Sequence, residues 1–138
     1  MMQSFEDYKA AWNRHDVSAL AKYYGQNGTL TNPAAGRVSG EALKGWLNVL
    51  FTGVPDFEVE VVSATPVNDH TLAEQAVIKG TWTQPFPAGP LAGAKPTGKS
   101  FSVPLAAFYE WKDGKIISGT HYFDQMAWLT QIGVIEQK

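Results

Sequence analysis

Residues 40–61 read GEALKGWLNVLFTGVPDFEVEV, and the spacing of the apolar residues changes within this stretch. Its first half has apolar side chains every three or four positions: Leu43, Trp46, Leu47 and Leu50. This spacing predicts an amphipathic helix. After Pro55-Asp56 the apolar residues alternate with glutamates, which predicts a β-strand beginning at Phe57. The chain therefore combines both element types, and helices come first.

Two more helices and a short strand are predicted upstream. Phe5, Tyr8 and Trp12 recur at i, i+3 and i+7, which predicts a helix that ends near Arg14. Ser4 is its candidate N-cap. Residues 16–25 begin with aspartate and end with glycine, as a short capped helix does, and residues 28–33 form a strand that ends in a proline turn.

Three more strands are predicted downstream, at 71–84, 99–111 and 115–124, with a Lys-Asp-Gly-Lys turn between the last two. Residues 85–98 contain four prolines and three glycines, so they form a long hairpin loop. The order of elements predicts a single α+β domain over residues 1–138, with helices packed on one face of a curved antiparallel sheet.

Composition narrows the function classes. The chain has 138 residues, 44% of them hydrophobic, and a net charge of -2, which removes the electrostatic attraction on which nucleic-acid binding depends. No cysteine is present, and the three histidines have no metal-site spacing, so we expect no metal and no thiol chemistry. No apolar stretch approaches the length of a membrane span, and no secretion signal opens the chain. We therefore expect a cytoplasmic protein that binds neither nucleic acid nor membrane.

Short motifs in a fixed order resemble those of a known family. They are residues 12–16 (WNRHD), 40–43 (GEAL), 55–56 (PD), 80–82 (GTW), 96–99 (PTGK), 113–116 (DGKI), 122–124 (YFD) and 131–133 (QIG). In this order they resemble the SnoaL-like polyketide cyclases of the nuclear transport factor 2-like, or ketosteroid isomerase-like, superfamily. The resemblance implies a cone-shaped α+β barrel, in which three N-terminal helices pack on a strongly curved antiparallel sheet around a deep apolar pocket. It also implies a homodimer and chemistry without a cofactor.

The resemblance also implies site residues. Asp124 matches the general acid or base of the cyclases, and Tyr8 matches the tyrosine with which ketosteroid isomerases stabilise an oxyanion. Asn32 stands where those isomerases have their base, and an amide cannot accept a proton at neutral pH. The chain is therefore not expected to be a steroid isomerase, and Asn32 is expected to donate a hydrogen bond.

Asp124 and His121 are three residues apart, so in a regular strand they face opposite ways. We favour the Asp124 side as the pocket side, which leaves His121 either at the dimer face or, through a bulge, in contact with substrate. Asp124 is alternatively the N-cap of a helix at 125–131. Glu74 is either an inward acid or a surface partner of a lysine, and we favour the surface. The remaining candidates for contact with a substrate are aromatic: Trp12, Trp46, Trp82, Phe108 and Tyr122.

We therefore predict an enzyme of polyketide cyclase type that transfers protons on a small apolar or polycyclic carbonyl compound. Two alternatives stay open. One is a binding module that keeps the pocket without a poised acid, and the other is a dimeric interaction subunit whose own aromatic side chains fill the pocket.

Overall fold

A computed structural model describes residues 1–135, and residues 136–138 of the predicted domain lie outside the described residues. The elements in chain order are α1 (Met2–Asn13), α2 (Val17–Tyr24), β1 (Thr29–Asn32), β2 (Gly36–Val38), α3 (Gly40–Gly53), β3 (Glu58–Pro66), β4 (Thr71–Thr81), β5 (Ser100–Lys112), β6 (Lys115–Phe123) and α4 (Gln125–Gln131). The predicted α+β fold class is confirmed.

The observed ends of α2 match those predicted from the sequence, whereas the observed start of α1 does not. The Asp16 carboxylate accepts a hydrogen bond from the backbone N–H of Ala19 at 3.0 Å, and Gly25 ends α2 with a φ of 63°. Both features match the predicted cap and glycine stop. Helix α1 begins at Met2 instead, so Ser4 lies inside its first turn and does not cap it.

Within the described residues, six strands form one sheet in the order β2-β1-β6-β5-β4-β3. The predicted sheet is antiparallel, but the observed sheet is mixed, because β1 runs parallel to β6. The sheet of the described chain is not closed into a barrel. Strand β2 was not predicted, since its three residues are mostly exposed and show no apolar alternation.

Cross-strand pairs decide which side chains face the helices. Directly paired residues point to the same face, and Ala107, which is fully buried, pairs with His121. His121 therefore lies on the inner face. Ala106 pairs with Tyr122, which is 57% exposed, so Tyr122 lies on the outer face. Our preference for the Asp124 side of the last strand as the pocket side is wrong.

Gly119 allows the inner face to be packed closely at its centre. It pairs with Tyr109, and a Cβ at this position would lie 3.0 Å from the Tyr109 ring and 3.1 Å from the Tyr24 hydroxyl. The phenol ring of Tyr109 lies across the space that any larger residue would fill. This contact holds Tyr109 at the base of the site described below.

None of the helices in the described part of the chain is long and apolar enough to cross a membrane.

Candidate functional site

The inner face of the sheet, α1, α3, α4 and the loop before β5 enclose a cavity of about 480 Å³. Its size falls in the range of small-molecule sites. The wall is apolar except for three polar side chains among its described residues: Lys9, His121 and Gln125. The loop contributes Phe86 and residues 88–91, so the predicted proline- and glycine-rich segment is a wall of the cavity as well as a connection.

A buried network of charged and polar groups lies at the base of the cavity. Lys9 Nζ lies 3.0 Å from Glu74 Oε1, and their side chains are only 7% and 0% exposed. Lys9 also donates to the Tyr109 hydroxyl at 3.1 Å, and Tyr109 donates to Glu74 Oε1 at 3.0 Å. His121 Nε2 lies 2.8 Å from the same hydroxyl. One phenol oxygen therefore connects an ion pair to a histidine of the cavity wall.

Aromatic rings surround the ammonium group of this network. Lys9 Nζ lies 5.3 to 5.8 Å from the ring centroids of four residues: Phe5, Tyr8, Trp12 and Tyr109. Ring faces carry partial negative charge and attract a cation at this distance. They offset part of the cost of burying Lys9, and Glu74 supplies the compensating charge.

Burial sets the protonation states of the network. It lowers the pKa of His121 well below the usual value, and the positive charge of Lys9 lowers it further, so the imidazole is neutral at pH 7. Burial also raises the pKa of Tyr109 well above that of an ordinary phenol, with added repulsion from neighbouring groups that include Glu74. Tyr109 therefore keeps its proton. Burial lowers the pKa of Lys9, and the Glu74 carboxylate opposes that shift.

The family of the protein follows from comparison with known proteins. The family model described as SnoaL-like polyketide cyclase matches residues 3–132. The chain belongs to the SnoaL-like polyketide cyclase family. No curated protein sequence matches it significantly.

Solved structures agree with this SnoaL-like fold. AclR from Streptomyces galilaeus, a proposed hydroxylase, superposes with a TM-score of 0.80 at 20% identity over 99% of this chain and 83% of its own. IdmH from Streptomyces antibioticus, a proposed polyketide cyclase, gives 0.78 at 21% identity over 96% and 97%. A protein of ketosteroid isomerase-like fold from Catenulispora acidiphila gives 0.75 at 23% identity over 94% and 92%. At these identities the likeness concerns the fold.

The two residues to which the resemblance to cyclases and ketosteroid isomerases gave catalytic roles, Asp124 and Tyr8, lie outside the cavity. Asp124 follows the end of β6, is exposed, and accepts a hydrogen bond from the backbone N–H of Ala127 at 3.0 Å as the N-cap of α4. Tyr8 is fully buried behind the wall, where its hydroxyl bonds to that of Tyr24. Our expectation that Asp124 faces the pocket is wrong, because the strand ends before it and a helix begins.

Asn32 stabilises a turn in this SnoaL-like chain. Its side-chain oxygen accepts hydrogen bonds from the backbone N–H groups of Ala34 and Ala35 at 2.9 and 2.7 Å. Within the described residues its buried amide nitrogen has no partner, and Asn32 itself is not part of the cavity wall. Donation from this nitrogen to a substrate stays a prediction.

The predicted aromatic contacts divide between the wall and other places. Trp12 and Trp46 line the cavity, as His121 does. Trp82 does not; it is buried and stacks on Phe86 with ring centroids 5.4 Å apart, so it supports the loop wall. Phe108 and Tyr122 lie on the outer face of the sheet, since strand alternation turns them away from the cavity.

Two residues of the network were missed or misread in the sequence. Lys9 completes the i, i+3, i+4, i+7 set that Phe5 begins, so its place on the buried face of α1 was visible. Glu74 was expected at the surface beside a lysine, but it points inward and pairs with Lys9, while Lys79 pairs with Glu60. A lysine at a core position together with an inward acid is the signal that would have indicated the pair.

Proposed function

We propose that the protein is an acid/base enzyme of polyketide cyclase type that acts without a cofactor on an uncharged, apolar carbonyl compound. His121 is its proton-transferring group. The observation that supports this assignment is a histidine on the wall of an apolar cavity, of which only one ring nitrogen is hydrogen-bonded within the described residues. A neutral imidazole is the base form of histidine and can accept a proton.

The chemistry that fits this site is ring closure by aldol addition. His121 removes a proton from the carbon next to a carbonyl group, and the resulting enolate attacks a second carbonyl of the same molecule. The imidazolium then returns the proton to the new alkoxide. The groups that lower the pKa of His121 make its imidazolium a ready proton donor for that last step.

Lys9 has a second role in this proposal. It is the one cationic side chain among the described wall residues, and because Glu74 compensates its charge, it acts through its hydrogen bond to the Tyr109 hydroxyl, which contacts His121. Trp12 also lines the cavity, but its indole N–H is itself buried, so its role in this proposal is apolar contact with the substrate.

Proton exchange on a small ketone tests this function without knowledge of the natural substrate. In D2O, the protein should accelerate deuterium incorporation at C2 of 1-tetralone, measured by proton NMR. His121→Gln should abolish the acceleration, and Asp124→Asn, which keeps the helix cap, should retain it. Loss of exchange in Asp124→Asn together with retention in His121→Gln would overturn the assignment, and near-UV circular dichroism controls for folding.

A second candidate function has one observation in its favour. No carboxylate is among the described wall residues, so the acid that the family resemblance implied is missing from the cavity. A binding module would bind 1-tetralone, as quenching of tryptophan fluorescence would report, but would not accelerate its exchange.

The proposed assembly is a homodimer that buries the outer face of the sheet. This face exposes large apolar side chains: Phe108 at 48% and Tyr122 at 57%. The Phe108 and Tyr122 rings contact each other, with centroids 6.2 Å apart, and form a patch that a second copy can cover. Sedimentation velocity at micromolar concentration should give a dimer for the wild type and a monomer for Phe108→Glu. A wild-type monomer would contradict the proposal.

A further inference from the structure

The Tyr109 hydroxyl has three hydrogen-bond partners, Lys9, Glu74 and His121, and its own chemistry limits how it can bond to all three. A phenol has one proton to donate and two lone pairs that accept. The Lys9 ammonium can only donate, and the Glu74 carboxylate can only accept. The Tyr109 and Glu74 oxygens, 3.0 Å apart, can form a hydrogen bond only through the phenol proton, so this proton is directed to Glu74, and one lone pair accepts from Lys9 at 3.1 Å.

The second lone pair determines the tautomer of His121. It faces His121 Nε2 at 2.8 Å, and an oxygen that has no proton left for this neighbour requires an N–H there. A neutral imidazole carries a single ring proton, so Nδ1 has none and is an acceptor. No described residue bonds to Nδ1, although His121 lines the cavity. The cavity therefore has a hydrogen-bond acceptor in need of a donor.

From this geometry we infer the class of compound that the cavity takes: an uncharged, apolar molecule whose phenolic, enolic or alcoholic hydroxyl donates to His121 Nδ1. Tyr109 acts as the positioning residue, because its hydroxyl fixes the His121 tautomer in which Nδ1 is an acceptor. The inference rests on the proposed function, since it names the substrate class of the same site.

Charge supports a neutral ligand over an acid. Lys9 and Glu74 form an ion pair of zero net charge, and no second cation lies among the described wall residues. A carboxylate ligand would place its oxygens against the Nδ1 lone pair and lose its hydration without gaining a free cation. A hydroxyl meets no such repulsion.

Three matched probes test the class of ligand by calorimetry. The probes are 4-cyclohexylphenol, its methyl ether 4-cyclohexylanisole, and 4-cyclohexylbenzoate. The phenol should bind roughly tenfold or more tightly than the ether, because the ether leaves a buried acceptor without its donor. The benzoate should bind more weakly than the phenol. Equal affinity for phenol and ether, or tightest binding of the benzoate, would overturn the inference.

The role of Tyr109 is tested by the tautomer itself. In the wild-type protein, nitrogen-15 NMR should show His121 with Nε2 protonated and Nδ1 unprotonated. Tyr109→Phe should give a mixture of tautomers and reduce the preference for phenol over ether. A wild-type signal with Nδ1 protonated would refute the inference even if Tyr109→Phe does not fold.

Failure of the inference and failure of the proposed function give different results. Both measurements above are made without turnover. Preference for the phenol without exchange of 1-tetralone would support the inferred ligand class and refute the proposed enzymatic function. Exchange that depends on His121, without any preference for the phenol, would support the enzymatic function and refute the inferred ligand class.

Discussion

Removal of one partner from the buried Lys9–Glu74 pair should strongly destabilise the protein. In Lys9→Met the Glu74 carboxylate, whose side chain is 0% exposed, stays in the core without its ammonium partner at 3.0 Å. Breaking a buried pair in this way costs about 3–5 kcal/mol. With a urea m-value of about 2 kcal/mol per molar, a loss of 4 kcal/mol lowers the unfolding midpoint by about 2 M.

The double variant Lys9→Met/Glu74→Leu isolates the pair. It removes both charges and replaces them with apolar groups, which is often close to neutral for a buried ion pair. We therefore expect the double variant to be more stable than Lys9→Met, by at least about 2 kcal/mol. Urea unfolding followed by tryptophan fluorescence at pH 7 measures all of these values.

The surface pair of Lys44 and Glu41 provides the matched control. Its atoms are 3.2 Å apart, nearly the same distance, but its side chains are 45% and 90% exposed. Lys44→Met should cost less than about 1 kcal/mol. If Lys9→Met were as mild as Lys44→Met, or if the double variant lost the sum of its two single losses, the buried network described above would be wrong.

Three further changes test other parts of the site. Burial depresses the pKa of His121 in the folded state, so wild-type stability should fall as the pH decreases below about 6.5. Relative to His121→Gln, the fall should reach up to about 1.4 kcal/mol per pH unit. If the free energy of urea unfolding changed equally with pH in the two proteins, the assignment would be contradicted. Asp124→Ala should lose about 1 kcal/mol of stability, because it removes the N-cap of α4. Its affinity for 4-cyclohexylphenol in calorimetry should be unchanged, and a loss of affinity would show that Asp124 contributes to ligand binding. Gly53→Ala should weaken binding of the same probe, since its Cβ would lie 2.3 Å from the Phe86 ring and displace the loop wall; unaltered affinity would show that Phe86 does not shape the cavity.

The elements were predictable because their patterns are local. The change from helical to alternating spacing after Pro55-Asp56 coincides with the end of α3 at Gly53 and the start of β3 at Glu58. The aspartate cap and glycine stop of α2 are likewise short-range features of the chain. Patterns of this kind need only a few neighbouring residues, so one sequence suffices to show them.

The site was less predictable because it depends on pairing between distant segments. Alternation along β6 separates His121 from Asp124 but does not tell which side faces the helices; the pairing of His121 with the buried Ala107 decides this. The partner of Glu74 lies on α1, and no local pattern links the two. Asp124 illustrates the same difficulty, since a residue at the end of a strand can either continue its alternation or begin the next helix.

A crystal structure of the protein with 4-cyclohexylphenol tests the central claim most directly, because it locates the polar group of a ligand relative to His121. The account predicts that the probe lies in the cavity beside Trp12 and Trp46, with its hydroxyl oxygen roughly 2.7–3.0 Å from His121 Nδ1. A probe whose hydroxyl binds at Asp124, or that turns away from His121 toward solvent, would contradict it.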